Sequence, residues 1–274
     1  MLKTRIITSV LLITGFLLVL FFAPSSVWSL LTLVATSVAM WEWSNLIKLN
    51  RTQMLLTLAA LLVIGLGLIF AANRPIGQYH DAFILSILIL STLFWLLLTP
   101  LWLIFRRTIK QKFVMAFLGL TLLLGSWLGL VGLHSLSPWL LLSVLTTVWL
   151  ADSAAYFSGK RLGKHKLAPA ISPGKTWEGV AGAIVAVTIY GAVICYTRDV
   201  SYWFVVGLWC LVVLSIIGDL FESMIKRQAG VKDSSQLLPG HGGVLDRVDG
   251  IMPVLPLVLS CVYFPLILNL SHRA

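Results

Sequence analysis

Apolar runs of about 20 residues recur from one end of this chain to the other, the length a helix needs to cross a bilayer core of roughly 30 Å. No other feature restricts the fold so severely. Inside hydrocarbon every backbone N–H and C=O must be paired within the protein, so only helices or closed barrels can span it. Barrel strands would show short alternating segments, and these runs are continuous. Composition agrees: 59% of the 274 residues are hydrophobic, 11% are charged, and mean hydropathy is +0.97. The expected fold is all-α, a polytopic integral membrane protein.

About nine spans are expected, near 5–23, 26–47, 53–72, 82–105, 113–133, 137–158, 177–197, 201–224 and 250–270. The opening M-L-K-T-R and its apolar run mimic a signal peptide. No A-x-A site follows, so the run reads as an uncleaved first helix. Only two loops have real size, 159–176 and the one within 223–249. With the N-terminus in the cytoplasm, 17 of the 20 Lys and Arg face inward, and only Arg74, Arg198 and Arg273 lie outside. That asymmetry follows the positive-inside rule and, with an odd number of spans, leaves the C-terminus outside. The chain is expected to divide into five N-terminal spans (1–136) and a catalytic region (137–274) of four spans with cytoplasmic loops 159–176 and 225–249.

The net charge of +10 is not gathered into a basic patch interleaved with exposed aromatics, so nucleic acid is not an expected partner. Cys195, Cys210 and Cys261 sit singly in apolar runs and read as small buried hydrophobes. Trp28, Trp139 and Trp203 on the outer side, and Trp41, Trp43, Trp102 and Trp177 on the inner, read as interfacial belts. Small residues at Gly179, Ala181, Gly182 and Ala183 permit close helix packing, within one chain or in a homodimer.

The acids carry the chemistry. Glu42, Asp152, Glu178, Asp219, Glu222, Asp233, Asp246 and Asp249 all fall in inner halves of spans or in inner loops. Ionisable groups inside a membrane are costly and mark sites or pathways. Ser215, Asp219, Glu222, Ser223 and Lys226 lie on one helical stripe. Asp246 and Asp249 share one face of a turn, with Pro253 and Pro256 just beyond to bend or unwind the next span. Carboxylates gathered so closely require a compensating cation, or Arg247 between them in its place. Hard oxygen donors favour Mg²⁺ over Zn²⁺.

Basic groups alternate with these acids. Lys226, Arg227, Lys232 and Arg247 lie within 223–249, and Gly242 and Gly243 let backbone N–H groups approach an anion. His241 suits a phosphate hydrogen bond, proton transfer or a structural contact. In the other loop, Gly174-Lys175-Thr176 resembles the end of a Walker A loop. Pro169 stands where its first Gly should be and no strand is expected before it, so that reading is rejected. Lys175 is favoured for the site, while Lys160, Arg161 and Lys166 suit phosphate or lipid headgroups equally.

From Ser223 the order S-M-I-K-R, K-D-S-S and L-P-G-H-G-G-V-L-D-R-V-D resembles the signature of the phosphatidate cytidylyltransferases (CDP-diglyceride synthases). I-S-P-G-K-T-W-E-G resembles that family's second characteristic region. The resemblance implies Mg²⁺-dependent transfer of a cytidylyl group from CTP to phosphatidic acid, giving CDP-diacylglycerol and pyrophosphate at a bacterial inner membrane, with the active site facing the cytoplasm. On this reading Asp219, Asp246 and Asp249 hold Mg²⁺, with room for a second cation. Lys226, Arg227 and His241 join those aspartates as catalytic candidates. Ser223, Lys232, Asp233, Arg247, Lys175, Gly242, Gly243 and Asp152 are expected to bind substrate. A secondary transporter with an intramembrane Asp cation site is the alternative. It should place polar groups in both halves, yet the spans up to residue 150 hold only Glu42. A CDP-alcohol phosphotransferase would need D-G-x-x-A-R, which is absent.

Overall fold

The computed structural model describes residues 13–71, 78–106, 108–237 and 242–271. Lys3, Arg5, Arg74, Arg107, Pro239, Gly240, His241 and Arg273 lie outside the described residues. The chain is built from helices: α1 (Ile13–Phe22), α2 (Ser25–Leu46), α3 (Arg51–Ala71), α4 (Gln78–Leu93), α5 (Thr99–Phe105), α6 (Lys112–Leu136), α7 (Pro138–Leu162), α8 (Trp177–Arg198), α9 (Trp203–Ala229), the short α10 (Leu245–Val248) and α11 (Val254–Ser271). Among the described residues six helical runs are long and apolar enough to cross a membrane: α3, the continuous Ala82–Phe105, α6, α7, α8 and α9. The fold is thus an all-α, polytopic membrane protein.

Between α4 and α5 the helix widens into a π turn, Phe94–Leu98. Pro100 supplies the reason. It has no N–H for the carbonyl four residues back, and its ring crowds that carbonyl, so the ladder shifts and Thr99 N–H bonds Phe94 O instead. The turn sets Phe94 and Trp95, with Trp102, around Phe221 of α9 at centroid distances of 5.3 to 5.5 Å. Phe221 lies between Asp219 and Glu222, so this aromatic nest fixes the stretch of α9 that carries the acids.

The loop 159–176 folds as a hairpin the sequence reading did not anticipate. β1 (Lys166–Ala168) pairs antiparallel with β2 (Ser172–Thr176). The expectation that no strand precedes Gly174-Lys175-Thr176 is therefore corrected. These three residues lie within β2 itself, where a Walker A loop would hold them in a turn after a strand. Thr176 caps α8 by accepting from Gly179 N–H at 3.1 Å, and Glu178 accepts from His165 Nδ1 at 2.7 Å, tying the hairpin to the helix.

Two belt assignments are corrected as well. Trp28 and Trp43 are core residues, 2% and 1% exposed. Trp28 stacks on His134 at 4.6 Å, and Trp43 Nε1–H donates to Met115 O at 2.9 Å. Gly119 permits the latter, since a Cβ there would collide with the Trp43 indole. Trp139, Trp177 and Trp203 are well exposed, as a belt requires. Of the cysteines, Cys195 is buried while Cys210 and Cys261 are exposed on their helices. An exposed thiol on an apolar helix face meets lipid as readily as a leucine would.

Gly179 and Gly182 bring α8 against Ala155 and Ser158 of α7, so their close packing is used within the chain. The N-terminal and C-terminal regions also interlock. Ser126 Oγ–H of α6 donates to Met252 O at 3.0 Å, and Gly129 sits against the Leu255 backbone. We expect Gly119→Val to cost about 1–3 kcal/mol of stability by displacing Trp43. A thermal melt of the purified protein in detergent checks this, and an unchanged midpoint would show that Trp43 needs no such clearance.

Candidate active site

The C-terminal halves of α7 and α9 meet the turn between α10 and α11. Asp152 comes from α7, and Ser215, Asp219, Glu222, Ser223 and Lys226 come from α9. Gly218 provides the clearance, because a Cβ there would strike the Asp249 carbonyl and Pro253. Between Asp249 and Pro253 the chain runs in turns rather than regular helix, with Met252 N–H still bonding Val248 O at 2.8 Å, and α11 begins only at Val254. This break carries Asp249 against α9.

Two lysines organise the acids. Lys175 Nζ, from β2, lies 2.6 Å from Asp219 Oδ2, and Ser223 Oγ–H donates to Asp219 Oδ1 at 3.2 Å. Lys226 Nζ lies 2.6 Å from both Glu222 Oε2 and Asp246 Oδ1. The second cluster is much drier: the Lys226, Glu222 and Asp246 side chains are 10%, 4% and 8% exposed. Asp152 stands beside Asp219, Lys175 and Ser215, and Asp249 beside Asp219 and Glu222.

Asp246 is saturated with donors. Besides Lys226 it accepts from Ser234 N–H at 2.9 Å, Ser234 Oγ–H at 2.9 Å and Gly243 N–H at 2.7 Å, all on Oδ2. The Gly-rich turn therefore does bring a backbone N–H to an anion, and that anion is the chain's own Asp246. Gly242 makes the turn possible with φ of +79°, a conformation most residues avoid. Burial acts to raise the Asp246 pKa, but Lys226 and the Gly243 and Ser234 N–H groups outweigh it and hold the carboxyl below the usual range. Asp249 goes the other way. Burial first, and the neighbouring Asp219 charge second, push its carboxyl well above the usual range.

The remaining expected site residues lie nearer solvent. Arg227 is at the C-terminal end of α9, where Nη1 donates to Val231 O at 3.3 Å. Lys232, Asp233 and Arg247 are exposed around the same loop. Lys160 lies over the Tyr156 ring, 5.7 Å from its centroid. His241 lies outside the described residues. The residue sequence reasoning underused is Glu42 of α2, fully buried and bonded to the 234–245 loop. Its signal was present, because a lone acid within otherwise apolar spans is expensive.

Among the described residues no three acids, histidines or cysteines already converge on one point as metal ligands. The donor chemistry nonetheless suits a hard divalent cation. Asp152, Asp219, Glu222 and Asp249 crowd together with only oxygen donors, and the buried Ser215 hydroxyl lies beside Asp152. Lys175 and Lys226 offset only part of this negative charge. A cation bound among oxygens relieves such crowding.

The model of the cytidylyltransferase family matches residues 3–264. The chain belongs to this family. Its similarity to individual cytidylyltransferases runs along nearly its whole length. It is 36% identical over 276 residues to a phosphatidate cytidylyltransferase of Pseudomonas aeruginosa, covering 96% of this chain and 97% of that one. With the enzyme of that name from Haemophilus influenzae it shares 33% identity over 290 residues, covering 96% and 99%. With the enzyme of that name from Staphylococcus saprophyticus identity rises to 46%, but over 134 residues, 46% of this chain and 48% of that one.

The two lysines of this cytidylyltransferase should differ sharply in their structural weight. Lys226→Met leaves two buried carboxylates without their cation and should cost about 3–5 kcal/mol. Lys175→Met opens a pair that solvent already screens and should cost about 0–1 kcal/mol. Chemical unfolding of both variants in mixed micelles tests the contrast, and equal losses would contradict it.

Proposed function

We infer that this cytidylyltransferase joins CTP to phosphatidic acid, forming CDP-diacylglycerol and pyrophosphate. The observation that carries the reading is the juxtaposition of Lys175–Asp219 and Lys226–Asp246 over one cluster of oxygen donors, in the C-terminal halves of apolar helices and the turns beside them. One substrate is a lipid that stays in the bilayer, and the other is a water-soluble triphosphate. A site at helix ends, floored by acids and rimmed by Arg227, Lys232 and Arg247, serves both.

Asp219 and Asp249, with Asp152 beside them, would hold Mg²⁺, and Asp246 could join them only by giving up a present donor. When bound, the ion neutralises charge on the triphosphate and stabilises the departing pyrophosphate. Lys175 and Lys226 draw the phosphates toward the acids, and the exposed Arg227, Lys232 and Arg247 extend that attraction to the loop rim. A phosphatidate oxygen then forms a bond to the α-phosphorus of CTP as the bond from that phosphorus to the bridging oxygen breaks. The lipid phosphate is already anionic at neutral pH, so no strong protein base is needed. The work is positioning and electrostatics.

The topology belongs to the same reading: nine spans, the N-terminus and both large loops in the cytoplasm, and the C-terminus outside, in a bacterial inner membrane. Seventeen of twenty basic residues support it. In a background lacking the three native cysteines, Leu237→Cys and Tyr202→Cys should react with an impermeant maleimide from opposite faces of oriented membranes. Reaction of both from one face would remove the orientation.

Purified protein given CTP, phosphatidate and Mg²⁺ should form lipid-linked CMP with release of pyrophosphate, and chelation should stop it. Asp219→Asn should lower kcat/KM by a thousandfold or so, about 4 kcal/mol at roughly 1.4 kcal/mol per decade. Near-normal turnover in that variant, with the protein folded, sinks the metal assignment. No product from the wild-type protein sinks the function.

A further inference from the structure

The hairpin that carries Lys175 is small, three residues of β1 against five of β2. A two-stranded ribbon of that size is marginal in water by itself. Its order comes from what it is tied to, and three ties are present. In the turn between the strands Ile171 is buried in the hydrophobic core. Along β2, Lys175 reaches across to Asp219 of α9 at 2.6 Å. At the open end Glu178, in the first turn of α8, holds His165, the residue just before β1. Glu178 Oε1 accepts from His165 Nδ1–H at 2.7 Å, and both of its oxygens stand 3.2 Å from the His165 backbone N–H. His165 O in turn accepts from Trp177 N–H at 3.0 Å. Thr176, capping the same turn of α8, fixes the place from which Glu178 reaches.

Of the three ties, the one through Lys175 is the one that the transfer reaction must loosen. A lysine drawn to a phosphate gives up Asp219 as its partner, and Asp219 is at the same time wanted by the cation. The hairpin then depends on the two ties that involve no reacting group. We propose that Glu178 is a positioning residue for cytidylyl transfer: through His165 it keeps the hairpin docked, so that Lys175 stays over the acids when a substrate phosphate replaces Asp219 beside it. This deepens the function proposed above and rests on its assignment of Lys175 to the phosphates. The His165 side chain is 78% exposed, so the pair adds little to the stability of the whole protein. Its effect is local, on the fraction of molecules in which the hairpin is docked. Apparent affinity falls in proportion to that fraction.

The test compares Glu178→Ala, which removes the acceptor, with Glu178→Gln, which keeps one. A single amide oxygen can take both His165 donors, as Oε1 does now. In full-length protein at subsaturating CTP and phosphatidate, with Mg²⁺, Glu178→Ala should lower kcat/KM about tenfold and Glu178→Gln no more than about threefold. In a Lys175→Met background Glu178→Ala should change the residual rate less than about twofold, because a residue that acts through Lys175 has nothing left to position. Trypsin reads the hairpin without turnover. Cleavage after Lys166 should be about tenfold faster in Glu178→Ala than in wild type, and cleavage after Lys110 unchanged. Wild-type kcat/KM and cleavage in Glu178→Ala overturn the proposal, and so do equal losses of rate in the wild-type and Lys175→Met backgrounds. A Glu178→Gln protein as slow as Glu178→Ala assigns the effect to charge and overturns the clip. Faster cleavage at both lysines is general loosening and overturns it as well. Where Lys175→Met turns over too slowly to assay, the glutamine rescue and the cleavage rates decide. Absence of cytidylyl transfer by wild-type protein is a failure of the functional reading, and the trypsin comparison still tests the clip.

Discussion

An ionised carboxylate inside a membrane protein has to find donors or a cation, because the bilayer offers neither. Four carboxylates in this chain show how differently that demand can be met. Glu42 is met wholly by hydrogen bonds from one loop, and Asp246 by a lysine together with loop donors. Asp219 has Lys175 and a serine hydroxyl. Asp249 takes the Gly250 N–H of its own turn at 2.8 Å and otherwise stands beside the acids Glu222 and Asp219. The series runs from a carboxylate met by several donors to one that stands chiefly beside other acids, and on the proposed function it runs toward the place where a cation and phosphates would bind.

The helices were legible because apolar length is a strong signal in a lipid solvent. The expected fourth span, 82–105, appears as one continuous helical run, and the bend or unwinding expected near Pro253 and Pro256 appears as a stretch of turns before α11. What could not be read was local pairing. The 159–176 hairpin is held by Thr176, His165 and Glu178, ordinary polar residues whose contacts depend on how β2 meets α8. Trp43 could not be told from a belt residue, because the same amphipathic ring suits an interface or a carbonyl in the core. Gly119 on another helix decided it.

The site shows the same division. Acid type, basic type and glycine placement were readable around 223–249, since each answers to chemistry. Which acid would be freest was not. Asp246 and Asp249 look equivalent at three residues apart, yet α10 turns one toward Ser234 and Gly243 and leaves the other facing Asp219. Their carboxyl groups move in opposite directions from the usual range as a result. Sequence spacing can place two groups on one face, but only the donors supplied by a third segment separate their roles.

That third segment also explains what the N-terminal helices contribute. Acids concentrate in the C-terminal half, which makes the first half look like passive membrane anchor. Its contacts are otherwise. α2 supplies Glu42 to the loop base, α6 receives α11 through Ser126 and Gly129, and the α4–α5 run supplies the aromatic nest around Phe221. Each contact fixes a different wall: the loop, the broken start of α11, or the acidic turn of α9. A reaction that brings two anions together gains from groups that are already in place, since reorganising charged side chains during the reaction would cost much of their benefit. Rigid helices packed behind a polar site supply that placement without contributing a single reacting group. On the proposed function, the unequal distribution of charge between the two halves is a division between residues that meet the substrates and residues that keep those in position.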